Sequence, residues 1–318
     1  MTFPIGGYFE LELNTGREYH SKAILLNSGR NCLEFILSSK KYNKIFLPFY
    51  ICDEVIDKVK NLNIDFEFYQ IDKNLDPVFF SKISKNDAFL YVNYFGIKKE
   101  TVRYLSQKVV NLIIDNSQAF FEKPIKGVDT FYSPRKFFGV PDGGYLFTDK
   151  RIDLNLDQDL SFLRMQHLLV RLDNGAENGY SLFLGNEKEL GKIPLRNMSN
   201  ITRSLLCNID YKTSKQKRNL NFRYLHNALK EKNELTVDVK NINSPMVYPF
   251  LCRDGKGLKP KLLQKKVFVP TYWGSVLKNV SQNSFEYHLV NNLIPLPVDQ
   301  RYSIKDMNWL ILLLKKFF

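Results

Sequence analysis

Between residues 112 and 149, reactive side chains stand directly after short apolar runs, and this pattern restricts the possible folds. Leu112–Ile114 is apolar and is followed by Asp115, and a second apolar run ends on Ser133, with Lys136 three residues later. The glycine pair at 143–144 then precedes a third apolar run. Short apolar runs bounded by polar residues are typical of buried strands, and the carboxyl ends of parallel strands meet at one edge of a sheet. We therefore expect Asp115 and Lys136 to lie in one cleft.

The first two thirds of the chain alternate such runs with segments of helical periodicity. This alternation predicts an α/β fold, with a mostly parallel sheet flanked by helices and ligands at the carboxyl ends of the strands. The predicted strands are Lys44–Leu47, Phe66–Ile71, Ala88–Val92, Leu112–Ile114, Thr130–Tyr132 and Tyr145–Phe147, and the predicted helices are Asn31–Ser38, Asp53–Asn61 and Lys99–Gln107.

After about residue 150 the pattern changes. Residues 155–192 are typical of helices and loops, and residues 200–231 predict one or two long amphipathic helices. Short strands follow, and a closing helix is expected at Ile304–Phe318, with Ser303 as its N-cap and Asp306 at N3. We thus predict a large domain at 1–205, including an N-terminal arm, and a smaller α+β domain at 206–318. The strands expected in the second are Met246–Phe250, Val267–Pro270 and Leu293–Leu296.

Composition excludes several classes of protein. The chain has 318 residues, 44% hydrophobic and 25% charged, as in ordinary globular proteins. Its four cysteines are widely spaced without a CxxC pair, so we expect neither a zinc site nor disulfides. The apolar run Trp309–Leu314 is too short to cross a bilayer, and the N-terminus does not resemble a secretory signal. We therefore expect a cytoplasmic protein that does not insert into membranes.

The net charge of +13 raises the alternative of nucleic-acid binding. The lysines are scattered and no DNA- or RNA-binding signature is present, so we expect no nucleic-acid partner. A phosphorylated or nucleotide-linked small substrate would benefit from the same charge.

Residues 28–31 form a candidate phosphate site. Ser28, Gly29, Arg30 and Asn31 stand between the apolar run Ile24–Leu26 and a predicted helix. A glycine turn that opens a helix presents backbone N–H groups and the positive end of the helix dipole to an anion. The alternative is an ordinary N-capped helix, since Ser and Asn are common caps.

Asp115 and Lys136 are the candidate catalytic residues. Pyridoxal phosphate (PLP) needs a lysine to form an imine and an acid to keep its pyridine nitrogen protonated. Gln118, three residues after Asp115, is placed to bond the phenolate oxygen of the ring, and Ser133 to bond the phosphate. The alternatives are that Asp115 caps a helix or pairs with a structural arginine, and that Lys136 is a surface lysine.

The segments NSGRNCLEF, LPFYICDEV, VNYFG, IIDNSQAF and SPRKFFGVPDGG resemble, in this order, the DegT/StrS family of PLP-dependent sugar aminotransferases. The resemblance covers residues 5–235 best, and both the Asp115-x-x-Gln118 spacing and the seven residues from Lys136 to Gly143 match. It implies the fold-type-I architecture and an internal aldimine between PLP and Lys136. It also implies a homodimer with a shared active site. The implied cofactor-binding residues are Ser28, Gly29, Arg30, Asn31, Tyr50, Asp115, Gln118, Ser133 and Lys136.

The same resemblance implies the reaction: amino transfer from glutamate to a nucleotide-linked keto sugar, for surface polysaccharide or glycoconjugate synthesis. The sequence departs from the family in having Arg30 where Thr is usual, and Cys52 where an aromatic residue stacks on the ring. Tyr50, Tyr94 or Phe95 are the candidate substitutes. Two alternatives stay open: a PLP enzyme that acts on another small ketone or amino acid, including by dehydration, and a degenerate member that binds a sugar nucleotide or a partner without catalysis.

Overall fold

A mixed sheet forms the centre of the N-terminal part of the protein. The computed structural model describes residues 5–14, 16–78, 83–150 and 155–317. Within these ranges, an eight-stranded sheet has the order β1-β8-β7-β6-β5-β2-β3-β4. Strands β2, β3, β5, β6 and β7 run parallel, while β1, β4 and β8 pair antiparallel with their neighbours. The strands are β1 (Ile24–Leu26), β2 (Lys44–Pro48), β3 (Asp65–Ile71), β4 (Pro77–Val78), β5 (Asp87–Val92), β6 (Leu112–Asp115), β7 (Asp129–Tyr132) and β8 (Gly144–Phe147).

The apolar runs form strands because both faces of the sheet are covered. All four residues of β6 and of β7 are buried, as expected for parallel strands with helices on both sides. Helix α1 packs Cys32, Leu33 and Ile36 into this core. The six predicted strands and three predicted helices of this part are confirmed, with small differences at their ends. The helices are α1 (Gly29–Lys40), α2 (Asp53–Asn61), α3 (Lys99–Lys108), α4 (Gln166–Asn178), α5 (Tyr180–Lys192) and α6 (Asn200–Cys207).

The C-terminal part combines a small sheet with helices. Strands β9 (Val247–Leu251) and β10 (Leu293–Pro297) pair antiparallel. The closing helix begins at Ile304 behind the predicted capping box of Ser303 and Asp306, and the predicted end at Phe318 lies outside the described residues. None of the described helices has the length and apolar character that a bilayer span requires. The helices of this part are α7 (Tyr211–Leu229), α8 (Gly255–Gln264), α9 (Phe285–Asn292) and α10 (Ile304–Lys315).

The predicted strand Val267–Pro270 is wrong. These residues belong to no strand. The Val267 N–H donates to Leu262 O at 3.0 Å, so this amide closes the carboxyl end of α8 instead of joining a sheet. Val267 is buried, whereas Phe268 is exposed. The apolar run thus anchors the end of a helix.

Candidate active site

The carboxyl ends of β6 and β7 lie side by side. Asp115, the last residue of β6, is paired with Phe131 of β7. The Asn116 N–H also donates to Phe131 O at 2.8 Å. Two residues after Phe131 comes Ser133, and a single turn of 3-10 helix over 134–136 carries Lys136. The parallel register therefore brings the Asp115 loop and the Lys136 loop to one edge of the sheet.

Asp115 is a buried carboxylate without a cationic partner among the described residues. Its side chain is 7% exposed, and Oδ1 accepts the Ser117 N–H at 2.7 Å. This hydrogen bond orients the carboxylate and tightens the turn after β6. A buried charge is costly unless a cation or several hydrogen bonds compensate it. The environment of Asp115 thus suits a bound cation.

Gln118 carries an unused donor in the same loop. Its Oε1 accepts the Phe95 N–H at 2.6 Å, while Nε2 is buried and has no hydrogen-bond partner within the described residues. Phe95 has a φ of 57°, a conformation that L-residues adopt at a cost and that is found often at functional sites. The Phe95 hydrogen bond fixes the amide of Gln118 and leaves its NH₂ group without a partner in the described part of the chain.

The amino end of α1 borders both of these loops. Ser28 caps the helix, with Oγ accepting the Asn31 N–H at 3.1 Å. A Cβ atom built on Gly29 would lie 3.4 Å from Ser117 Oγ and 3.6 Å from Ser133 Cβ. A helix N-terminus with two hydroxyl groups beside it is a suitable seat for a phosphate. Sequence analysis did not identify Ser117 as a site residue, because its position beside Gly29 depends on the fold.

The glycine pair after Lys136 lets α1 approach β8. Gly143 has a φ of 115° and donates its N–H to Asn27 O at 2.8 Å. A Cβ atom on Gly144 would lie 2.5 Å from the carbonyl carbon of Ser28.

The neighbouring Asp142 is fully buried and accepts the Ser199 N–H at 2.9 Å. Burial raises the pKa of Asp142 against the opposing effect of its hydrogen bonds, and its carboxylate anchors α6.

Arg30 and Asn31 direct their side chains toward α5 and the chain that follows it. A Cβ atom on Gly191 would meet Arg30 Nη1 at 3.1 Å. The Asn31 amide donates to Asn27 Oδ1 at 2.7 Å and to Pro194 O at 3.1 Å. The contribution of Asn31 to the candidate phosphate seat is therefore through its backbone and helix position, because its amide nitrogen has protein partners.

The Lys136 side chain is exposed, while Ser133 is buried. The backbone of the turn is closed by the Lys136 N–H, which donates to Ser133 O at 3.3 Å. The intervening Arg135 forms an ion pair with Glu187 of α5. The turn is thus tied to α5 through Arg135, and Lys136 is left accessible for chemistry.

The aromatic side chain of Tyr50 lies in a buried cluster. Its ring is 4.5 Å from that of Trp273, edge to face, and 5.8 Å from that of Tyr94. Its hydroxyl is buried, with no hydrogen-bond partner in the described part of the chain. Cys52 is the N-cap of α2. Burial raises the pKa of its thiol to about 12, with the Lys136 charge lowering it and the Asp115 charge raising it. Cys52 thus lies within electrostatic range of both candidate catalytic residues.

This set of residues fits PLP. The Asp115 carboxylate, which has no ion-pair partner among the described residues, matches a protonated pyridine nitrogen, and the unpartnered Gln118 Nε2 matches the phenolate oxygen. The N-terminus of α1, with Ser117 and Ser133 beside it, matches the phosphate. Lys136 would supply the amine. The pyridine nitrogen, the phenolate oxygen and the phosphate of PLP thus each have a chemically complementary group among these residues.

Comparison with solved structures identifies the fold. A DegT/DnrJ/EryC1/StrS aminotransferase from Brucella abortus matches with a TM-score of 0.61 at 15% identity, over 93% of this chain and 85% of the other. A sugar aminotransferase from Micromonospora echinospora matches with a TM-score of 0.65 at 12% identity, over 94% and 88%. The E. coli GDP-4-keto-6-deoxy-D-mannose-3-dehydratase, solved with bound hydrated PLP, matches with a TM-score of 0.61 at 15% identity, over 92% and 87%.

No protein-family profile and no curated protein sequence matches the chain. The structural match extends over nearly the whole chain, and the expected resemblance to the DegT/StrS aminotransferases is confirmed for the fold. The fold is that of the fold-type-I PLP enzymes, in which aminotransferases and a dehydratase share one architecture.

Proposed function

We propose that this protein is a PLP-dependent aminotransferase that moves an amino group from an amino acid, glutamate, to a nucleotide-linked keto sugar. The observation that carries the proposal is the buried Asp115 carboxylate, which has no ion-pair partner among the described residues and lies beside the Lys136 turn. The unpartnered Nε2 of Gln118 supports it independently. A structural aspartate or a surface lysine would require neither feature.

Each residue of the candidate site has a separate role in the proposed reaction. PLP, when bound, withdraws electrons from the α-carbon of an amino acid joined to it, which is the chemistry of amino transfer. Lys136 Nζ would hold the cofactor covalently and would move a proton at the donor α-carbon. Asp115 would hold the proton on the pyridine nitrogen, and Gln118 Nε2 would donate to the phenolate oxygen. Gly29, Ser117 and Ser133 would seat the phosphate at the N-terminus of α1.

The proposed sugar substrate and pathway are supported by the fold and by the net charge of the chain. The Micromonospora echinospora neighbour is a sugar aminotransferase, and the net charge of +13 favours an anionic substrate such as a nucleotide-linked sugar. Surface polysaccharide or glycoconjugate synthesis is the pathway that we infer for such a product.

Dehydration is the second candidate, because a dehydratase matches this structure as well as an aminotransferase does. The two reactions differ in what becomes of the amino group. Only an aminotransferase leaves nitrogen on the sugar product. A degenerate, non-catalytic binding protein would neither link PLP to Lys136 nor consume glutamate.

A homodimer with a shared site forms part of the proposal. Apolar side chains are exposed along α4 and α5, the helices next to the Lys136 turn, with Leu172 83% exposed and Leu169 50% exposed. Exposed apolar patches of this kind mark interaction surfaces. A second copy of this chain that covers α4 and α5 would also enclose the exposed Lys136.

The proposal is tested by adding PLP to the wild-type protein and to Lys136→Ala, with the exposed Lys108→Ala of α3 as a matched control. We expect absorbance from a covalent PLP–lysine link in the wild type and in the control but not in Lys136→Ala. Borohydride reduction followed by peptide mapping should place the cofactor on Lys136. Glutamate should discharge the absorbance and yield 2-oxoglutarate. Absence of a covalent link at saturating PLP contradicts the proposal, and a link without glutamate turnover contradicts glutamate as the amino donor.

A further inference from the structure

Arg218 of α7 is a buried cation that binds neutral groups. It is 1% exposed, and none of the ion pairs found among the described residues includes it. Its Nη2 donates to Phe137 O at 3.2 Å, and Nη1 donates to Pro245 O at 3.2 Å and to Met246 O at 3.3 Å. Its guanidinium carbon lies 4.5 Å from the centre of the Phe137 ring. Every hydrogen bond of this side chain therefore ends on a backbone carbonyl or an amide oxygen.

Gln300 completes the same contact. Its Nε2 donates to Phe137 O at 2.9 Å, and its Oε1 accepts from Arg218 Nε at 2.9 Å. The two side chains thus bind one carbonyl oxygen and each other. Phe137 directly follows Lys136, so both donors from the C-terminal part converge on the backbone next to the candidate catalytic lysine.

The charge environment shows that this is not an ordinary ion pair. The charge of Asp299 acts on Arg218, but its carboxylate is bonded to Arg301, at 2.7 Å and 2.9 Å. Burial lowers the pKa of Arg218 to about 10, and the more distant Asp299 charge only partly offsets this. A buried charge without a paired carboxylate is costly. The donors of Arg218 instead bind three backbone carbonyls and the Gln300 amide oxygen, which indicates that they fix the geometry at Phe137.

We propose that Arg218 and Gln300 are positioning residues that clamp Phe137 O and so hold the Lys136 turn in the geometry for covalent capture of PLP. The turn itself is short, and its local hydrogen bonds are the N–H groups of Lys136, Phe137 and Phe138 donating to Ser133 O and Pro134 O. These bonds fix the shape of the turn, whereas the clamp fixes its position relative to the C-terminal part. A misplacement of about 1 Å at a reacting group can slow a reaction by about 100-fold.

This inference rests on the proposed function for its chemical meaning, but the clamp has a readout that needs no cofactor. Hydrogen exchange of the amides at 136–138 reports the ordering of the turn in the protein alone. The rate of covalent PLP capture at Lys136 reports the geometry of the amine. Global stability, from chemical denaturation, separates a local change from general unfolding.

Two variants test the clamp. Arg218→Lys keeps the positive charge and loses the fork of donors. Gln300→Glu keeps an acceptor for Arg218 Nε and replaces the donor to Phe137 O with an oxygen. The matched controls are Arg223→Lys on the exposed side of the same helix and Gln264→Glu at the exposed end of α8.

We expect amide exchange at 136–138 to become faster in both variants, and PLP capture to slow by about 10- to 100-fold, with both controls like the wild type. Exchange and capture rates equal to those of the controls in a folded variant would overturn the clamp. If Arg218→Lys does not fold, Gln300→Glu decides by the same two rates. If the wild type itself does not capture PLP, the proposed function fails, and the exchange rates alone decide whether the clamp exists.

Discussion

The carbonyl carbon and oxygen of Ser28 lie 2.5 Å from the point that a Cβ atom on Gly144 would occupy. Cys32 Sγ lies 2.7 Å from the same point. The N-terminus of α1 is therefore in direct contact with the start of β8, and only glycine leaves the space for it. This contact joins the segment after Lys136 to the candidate phosphate seat.

Gly144→Ala should displace the N-terminus of α1 and weaken PLP binding. Overpacking of a well-packed site costs about 1–3 kcal/mol of unfolding free energy, and backbone atoms of Ser28 cannot rotate away. The control is Gly185→Ala in α5, where nothing lies within 4 Å of the added atom and where alanine favours the helix by about 1 kcal/mol. Urea denaturation and PLP titration check both. If the two variants have equal stability and PLP affinity, the contact does not matter.

Gln118→Glu removes one donor and preserves the contact with Phe95. The new carboxylate still accepts the Phe95 N–H, but it offers no N–H to the phenolate oxygen of PLP. We expect PLP affinity to fall by about 10- to 100-fold, since leaving a buried group unpaired costs about 1–3 kcal/mol. Gln107→Glu, at an exposed position of α3, is the control for added charge. Unchanged affinity in Gln118→Glu would remove Gln118 from the site.

Asp115→Asn keeps the shape of the side chain and an acceptor for the Ser117 N–H. It removes the charge that holds a proton on the pyridine nitrogen. We expect the rate of glutamate turnover to fall by about 10²- to 10⁴-fold. The effect on the free energy of unfolding should be smaller than the effect on this rate. Stopped-flow absorbance with glutamate measures the rate. Asp57→Asn, on the exposed face of α2, is the matched control, and equal rates in the two variants would contradict the role of Asp115.

Sequence patterns predicted the sheet and its edge because those features are local. Leu112–Asp115 is a run of three branched apolar residues that ends on a carboxylate, and the structure buries all four. The fold class follows from the alternation of such runs with amphipathic helices. The division at 205/206 and the roles of the site residues remain predictions.

Other features could not be predicted because they depend on contacts between distant parts of the chain. The helix α8 contains Pro260 and begins with Gly255, which are helix-breaking signals, and it is held by packing against its neighbours. Arg218 resembles any arginine of a basic amphipathic helix until the fold brings Phe137 O to it. The position of Ser117 beside Gly29 likewise appears only when two separate loops meet.

Leu172→Glu should weaken self-association. The side chain is 83% exposed on α4, and a charge placed in an apolar interface would be desolvated without a partner. We expect sedimentation equilibrium to show dimers for the wild type and a larger monomer fraction for the variant, with a loss of PLP affinity if the site is shared. Leu263→Glu, on the exposed face of α8, should remain dimeric. Monomeric wild-type protein with full PLP affinity would contradict the shared site.

His20 should make the protein less stable in mild acid. Its ring is buried, its Nε2 lies 2.7 Å from Phe120 O, and burial lowers its pKa to about 4. In the unfolded chain the imidazole binds a proton below about pH 6.5, whereas the folded protein keeps the ring neutral until about pH 4. Stability that is present above pH 6.5 is therefore lost progressively as the pH falls toward 4.

The loss attributable to His20 between pH 7 and pH 5 should be about 2 kcal/mol of unfolding free energy. His20→Phe keeps an aromatic ring in the cluster with Tyr132 and Phe120 but cannot titrate. It also removes the hydrogen bond to Phe120 O, so it should be less stable than the wild type at pH 7, and the difference should shrink by about 2 kcal/mol at pH 5. Urea denaturation at both pH values measures this change, and the carboxylates and other histidines cancel in the comparison. A difference that stays constant would mean that the folded protein binds the proton at His20 as readily as the unfolded chain does.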